Sequence, residues 1–257
     1  MLQKRIIPLL FLSENKIVKT EKFKNISYVG DPLNILKIFN EKEVDEIILL
    51  DISKRKKNYK LQVELLKQFA SECFMPITYG GGINSLADAE LILNMGFEKI
   101  CLTHVALSNP KLIQEISDNF GKQSVVVKLD LKKNLFRKLK VYDYLNNKFI
   151  NEDINHYIKK IISLGAGELV INFVDNEGTR AGLYDADLLK IDLNIEIPII
   201  ISGGVNSHQN IKDLFKSRID AVALGSLLVY FGIHKAVLIN YPNKDEKKEL
   251  TEFLFKE

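Results

Sequence analysis

The chain has 257 residues, 46% hydrophobic and 27% charged, enough apolar material for one large core, and no Gly-, Pro- or Ser-rich stretch divides it. Its net charge of +3 comes from 36 basic and 33 acidic residues spread along the length, which excludes the concentrated basic face of a nucleic-acid binder. Two cysteines, Cys73 and Cys101, without metal-ligand spacing, exclude a disulfide framework and a zinc site.

These bounds lead to an expectation of one domain over 1–257, in a reducing cytoplasm, with no metal, no cofactor and no membrane or nucleic-acid partner. The first apolar run, Ile6 to Leu12, is too short to span a bilayer and reads as a buried strand.

In chain order, eight β-branched runs alternate with stretches of helical periodicity, the pattern of a parallel sheet with covering helices. The predicted strands are Arg5 to Phe11, Glu46 to Asp51, Ile77 to Tyr79, Lys99 to Leu102, Ser124 to Asp130, Glu168 to Phe173, Ile197 to Ile201 and Ala221 to Leu224. Several are almost wholly apolar, as strands covered on both faces are. Between them Leu61, Leu65, Leu66 and Phe69, then Leu86, Ala89 and Leu93, then Ile211, Leu214 and Phe215 mark helix core faces. Asp31-Pro32 and Asn109-Pro110 predict helix starts with a capping side chain. The basic run Lys54 to Lys57 follows a strand and reads as a solvated loop.

An internal repeat sharpens the fold. Pro76-Ile77-Thr78-Tyr79-Gly80-Gly81-Gly82-Ile83-Asn84-Ser85 matches the segment from Pro198 to Ser207, and the same spacing pairs Glu46 with Glu168. Half a chain repeated once, with four strand-helix units in each half, closes naturally into an α/β (βα)8 TIM barrel with a twofold half-barrel repeat.

In such a barrel the reactive groups follow the strands. Gly81-Gly82 after the third strand and Gly203-Gly204 after the seventh let backbone N–H groups approach an anion. Gly178 follows the sixth, and Gly225-Ser226 after the eighth opposes Thr103-His104 after the fourth. Two phosphate cradles facing each other across one mouth are the expectation. Asp130 closes an apolar strand and is a candidate general acid or base, with Phe11 as its half-repeat counterpart. Asp51 and Asp175 end strands similarly and could equally tether loops. His104 is the one histidine at a strand end. At the opposite ends stand Arg5, Glu46, Lys99 and Glu168, whose alternating signs predict a salt-bridged plug, since buried charges persist when paired.

Over nearly the whole chain these residues resemble the cyclase subunit of imidazole glycerol phosphate synthase. The resemblance rests on Lys4-Arg5-Ile6-Ile7, Val18-Lys19, Gly30-Asp31-Pro32, Asp45-Glu46, Gly80-Gly81-Gly82-Ile83, Asn109-Pro110, Gly165-Ala166-Gly167-Glu168, Gly178-Thr179 and Ser202-Gly203-Gly204. It implies a glutaminase partner at the N-terminal face, ammonia entry through a gate at Arg5, Glu46, Lys99 and Glu168, and a doubly phosphorylated substrate at the top. It also implies a loop from Ser13 to Val29, carrying Lys19, that closes over substrate. The chain departs from the family's two facing aspartates, keeping Asp130 but placing Phe11 at the other position; Thr103-His104 and Glu177 are further departures.

Val18-Lys19-Thr20, Phe23-Lys24-Asn25, Tyr28 to Pro32, Cys73-Phe74-Met75-Pro76 and Ala236 to Pro242 are similar to cyclase-like paralogues of surface-polysaccharide and nonulosonic-acid pathways. That subgroup implies acetamidino-sugar formation with an ATP-dependent sugar amidotransferase and a phosphorylated or nucleotide-linked substrate. The alternatives are histidine-pathway cyclisation and a non-catalytic scaffold that activates the glutaminase.

Overall fold

A strand buried on both faces needs apolar side chains at every position, and the chain separates them into two sets. In the first strand, β1 (Arg5–Ser13), Ile6, Leu10 and Leu12 join the large cluster beneath the helices, whereas Ile7, Leu9 and Phe11 join a smaller cluster with Ile48, Leu50, Val126 and Val170. The smaller cluster is the interior of a closed barrel. The computed structural model describes residues 3–53, 61–183, 185–232 and 234–251; the basic run Lys54 to Lys57 lies outside them.

The remaining barrel strands are β2 (Ile47–Asp51), β3 (Ile77–Gly80), β4 (Lys99–Leu102), β5 (Val125–Lys133), β6 (Glu168–Phe173), β7 (Ile199–Ser202) and β8 (Ala221–Leu224). Each pairs in parallel with the next, and β8 returns to β1 through Arg5↔Ala221 to Pro8↔Leu224, so eight strands close with helices between them. This is a (βα)8 barrel. β1 and β5 run beyond their predicted ends because both continue upward into hairpins.

The stretch Ser13 to Val29 is thus an antiparallel hairpin, Lys16–Glu21 with Lys24–Gly30, laid on β1 through Phe11↔Val18. After β5, Leu131↔Val141 begins a second hairpin whose returning strand is Leu139–Asp143. Both carry side chains over the mouth.

The sequence repeat has a local cause. Ser85 caps the helix Leu86–Asn94 by accepting from the Asp88 N–H, and Ser207 caps His208–Phe215 by accepting from the Asn210 N–H at 3.2 Å. Each serine satisfies a backbone donor that the first helical turn leaves free. Asp31 caps Pro32–Glu41 as expected, at 3.0 Å to the Asn34 N–H. Asn109 does not act as anticipated: the helix Lys111–Phe120 has no side-chain cap, and the Asn109 backbone carbonyl accepts from the Leu112 N–H instead. No helix among the described residues is long and apolar enough to cross a membrane.

Candidate active site

At the base of the barrel, the first residues of three strands, Arg5, Lys99 and Glu168, meet Glu46, which immediately precedes β2. Arg5 Nη1 donates to Glu46 Oε2 at 2.6 Å and Nη2 to Glu168 Oε1; Lys99 Nζ reaches Glu46 Oε1 and Glu168 Oε2, each at 3.0 Å. The four charges form a closed cycle of alternating sign. Thr78 Oγ1 adds a donor to Glu46 at 2.8 Å, so each glutamate accepts from at least two groups in a place that excludes most water. Burial opposes the Arg5 charge, but Glu168 and Glu46 outweigh it and hold the guanidinium more firmly protonated than usual.

Above the ring the bore is apolar, lined by Ile7, Ile48, Cys101, Val126, Val170 and Ile200. Burial pushes the Cys101 thiol up to about 12, so it remains a neutral, unreactive wall at ordinary pH.

A polar layer follows. Lys128 and Asp130 lie two residues apart on β5, hence on one face, and Lys128 Nζ donates to Asp130 Oδ1. Asn172 Nδ2 donates to the same oxygen at 2.7 Å, and Asn172 Oδ1 accepts from Ser202 Oγ at 2.9 Å. Lys128 also lies over the Phe23 ring, 5.3 Å from its centroid.

Two cavities open at the mouth, and Phe11 is a wall of both. The first, about 150 Å³, gathers Gly81, Gly82, Thr103, His104, Lys128 and Asp130, with Tyr142, Asp143 and Tyr144 from the second hairpin. The second, about 30 Å³, gathers Lys19, Gly178, Gly203, Gly204, Gly225 and Ser226, with Glu177 and Arg180. The sequence-derived site residues therefore fall into two groups on either side of Phe11. Gly225-Ser226 opens the short helix Ser226–Val229, and Thr103-His104 opens its counterpart His104–Ser108.

Lys19 is buried, with Nζ on the Leu9 carbonyl and 4.9 Å from the Phe11 ring centroid. Burial lowers its pKa to about 8, against the opposing pull of Glu177. Burial likewise raises Glu177, although its carboxylate oxygens accept from Thr20 Oγ1 and the Phe23 N–H, both at 3.0 Å.

Of the two strand-end aspartates, Asp175 tethers a loop, accepting from the Lys133 N–H, while Asp51 lines the first cavity and accepts from the Ser53 N–H. Three features escaped the sequence. Lys128 is hidden in an apolar run, though its spacing from Asp130 was a usable signal. Asp143, which meets His104 Nδ1 at 3.0 Å, and Tyr144, whose ring stacks edge-on against Phe23 at 5.0 Å, depend on hairpin pairing.

The model of the histidine biosynthesis protein family matches residues 5–235. The chain belongs to the HisF-like cyclase family. The protein named "Putative imidazole glycerol phosphate synthase subunit HisF" from Leptospira borgpetersenii is 46% identical over 253 residues, 97% of this chain and 99% of the relative. A similarly named subunit, hisF3 of Vibrio vulnificus, is 44% identical over 98% of each chain. An imidazole glycerol phosphate synthase subunit HisF from Helicobacter hepaticus is 35% identical, covering 93% of this HisF-like chain and 95% of the relative.

Proposed function

We propose that this HisF-like chain is the synthase-side barrel of a glutamine-dependent amidotransferase. A glutaminase docks at its N-terminal face, ammonia passes the ring and climbs the bore, and an acetamido sugar in phosphorylated or nucleotide-linked form receives it at the mouth, giving an acetamidino sugar. The observation that carries this reading is the closed four-charge ring beneath an apolar bore that ends at Phe11.

The physics of the bore favours a small neutral nucleophile. An ammonium ion would meet Arg5 and Lys99 and then lose its hydration against aliphatic walls, a cost that neutral ammonia largely avoids. At the top, Phe11 cannot move a proton, and Asp130 is already engaged by Lys128 and Asn172. The resulting mouth is poorly suited to chemistry that needs two facing carboxylates. An ATP-dependent partner would activate the acetamido oxygen, because an amide carbon does not release its oxygen to ammonia unaided.

The purified barrel is expected to stimulate its glutaminase on assembly; absence of stimulation in a formed complex would contradict the conduit. A second reading, ring closure to imidazole glycerol phosphate, is favoured by the two glycine-lined cavities flanking Phe11, which suit a doubly phosphorylated substrate. Rescue of a histidine auxotroph lacking its cyclase would establish it, with Phe11→Asp as the companion variant. A pure scaffold predicts that Asp130→Asn leaves product formation almost unchanged, whereas a direct chemical role predicts a loss of roughly 10²-fold or more.

A further inference from the structure

The mouth holds a histidine–carboxylate pair that the ring-and-cradle description does not use. His104 is the first residue of the helix after β4, and Asp143 ends the returning strand of the hairpin after β5. His104 Nδ1 lies 3.0 and 3.1 Å from the two Asp143 oxygens. Asp143 is buried, and the same two oxygens also accept from the Leu145 N–H at 3.1 Å and from Asn146 Nδ2 at 2.8 Å. A carboxylate facing Nδ1 assigns the ring proton to that nitrogen, which leaves the acceptor lone pair on Nε2.

Both residues line the larger cavity. Along β4, Lys99 belongs to the ring and Cys101 to the bore, and Thr103 just beyond the strand belongs to the cavity wall, so the segment that leads up from the base runs directly into His104. Among the described residues, the other titratable groups lining this cavity are Asp51 from β2, Cys101 from β4, Lys128 and Asp130 from β5, and Tyr142 and Tyr144 from the hairpin. Asp130 is held by Lys128 and Asn172, whereas the imidazole is backed by an anion that can balance the charge of an imidazolium.

We propose that His104, oriented by Asp143, is the general base for the transferred nitrogen. Its Nε2 takes the proton that ammonia loses as the nitrogen lone pair forms the bond to the activated acetamido carbon. The electron pair of the breaking C–O bond leaves with the phosphate-type activating group supplied from the nucleoside triphosphate, and the imidazolium returns its proton to water. This step rests on the amidotransferase reading, and it gives the site a proton acceptor where Phe11 offers none.

Two experiments test it. In the free barrel, diethyl pyrocarbonate followed by peptide mass spectrometry is expected to acylate His104 at least as fast as His156, although the side chains are 28% and 74% exposed. Resistance of His104 while His156 reacts would mean that Nε2 is not presented, and would overturn the proposal. In the reconstituted complex with ATP, amide-¹⁵N glutamine and a panel of UDP- and CMP-linked N-acetyl sugars, His104→Asn keeps an N–H for Asp143 but removes the base. Product formation should fall roughly 10²-fold or more, the acid limb of the pH–rate profile should vanish, and added imidazole should restore turnover to His104→Gly. Wild-type turnover with an unchanged profile in His104→Asn would reduce the pair to a loop staple. If the wild-type complex makes no product, the amidotransferase reading fails instead, and the acylation rates still decide whether the base is presented.

Discussion

At Lys19, burial overrides charge. Its folded pKa of about 8 lies below the ordinary 10.5, so between those values the unfolded chain holds a proton that the fold does not, and stability rises with pH across that window. Below pH 8 the buried ammonium costs about 3 kcal/mol, from about 1.4 kcal/mol per pH unit. Lys19→Met should therefore raise the urea midpoint at pH 7 and abolish the rise between pH 8 and 10.5; an unchanged pH dependence would contradict the burial. The cost makes sense if an anion neutralises the ammonium. Gly225 lies against it, with a Cβ there falling 2.4 Å from Nζ. Binding of inorganic phosphate should accordingly take up a proton near pH 8, measurable by calorimetry in buffers of different ionisation enthalpy, and weaken above it.

Residue-scale legibility followed contrast with surroundings. Arg5, Glu46, Lys99 and Glu168 stood out because each is a charge at the start of an apolar strand, and strand alternation then sends all four inward. Lys128 sits within such a strand and reads as an irregularity in it. His104 was visible, but its partner is 39 residues away, on a hairpin whose pairing depends on tertiary contact rather than on local pattern.

At the scale of elements, the hairpin Lys16–Gly30 covers the mouth and is pinned at its tip. Lys22 N–H donates to the Glu177 carbonyl at 2.9 Å, Phe23 N–H and Thr20 to the Glu177 carboxylate, and Tyr144 Oη to the Phe23 carbonyl at 3.0 Å. Gly178 permits this approach: its φ is +72°, and a Cβ would stand 2.1 Å from the Thr20 carbonyl oxygen. The glycine expected from sequence to cradle phosphate is the one that the hairpin's close approach requires. Gly178→Ala should displace the tip, costing about 1–3 kcal/mol of local strain, and should speed tryptic cleavage after Lys22 or Lys24 several-fold. Cleavage at the wild-type rate would show that the tip is not held at Gly178. Strand positions were legible because period and turn residues are local, whereas the hairpin read as a loop: its outer strand, Lys24–Gly30, is mostly exposed and lacks the apolar signature of the barrel strands.

For the whole molecule, the half-barrel repeat places equivalent glycine turns and serine caps on opposite sides of one axis, with the charge ring at its lower end. Breaking a buried pair leaves an uncompensated charge, which typically costs about 3–5 kcal/mol; with the ring cations partly exposed, Glu168→Gln belongs at the lower end, about 3 kcal/mol. Thermal unfolding should drop by about 6–12 °C for a chain of this size, and a shift under 2 °C would show that the ring carries little stability.

The central claim is that nitrogen travels inside the barrel. The direct measurement is isotopic: the reconstituted complex is supplied with amide-¹⁵N glutamine in the presence of a large excess of unlabelled ammonium, and the acetamidino product is read by mass spectrometry. Product carrying predominantly ¹⁵N is the predicted result. Label diluted to the ratio in bulk solution would show that ammonia reaches the mouth from outside.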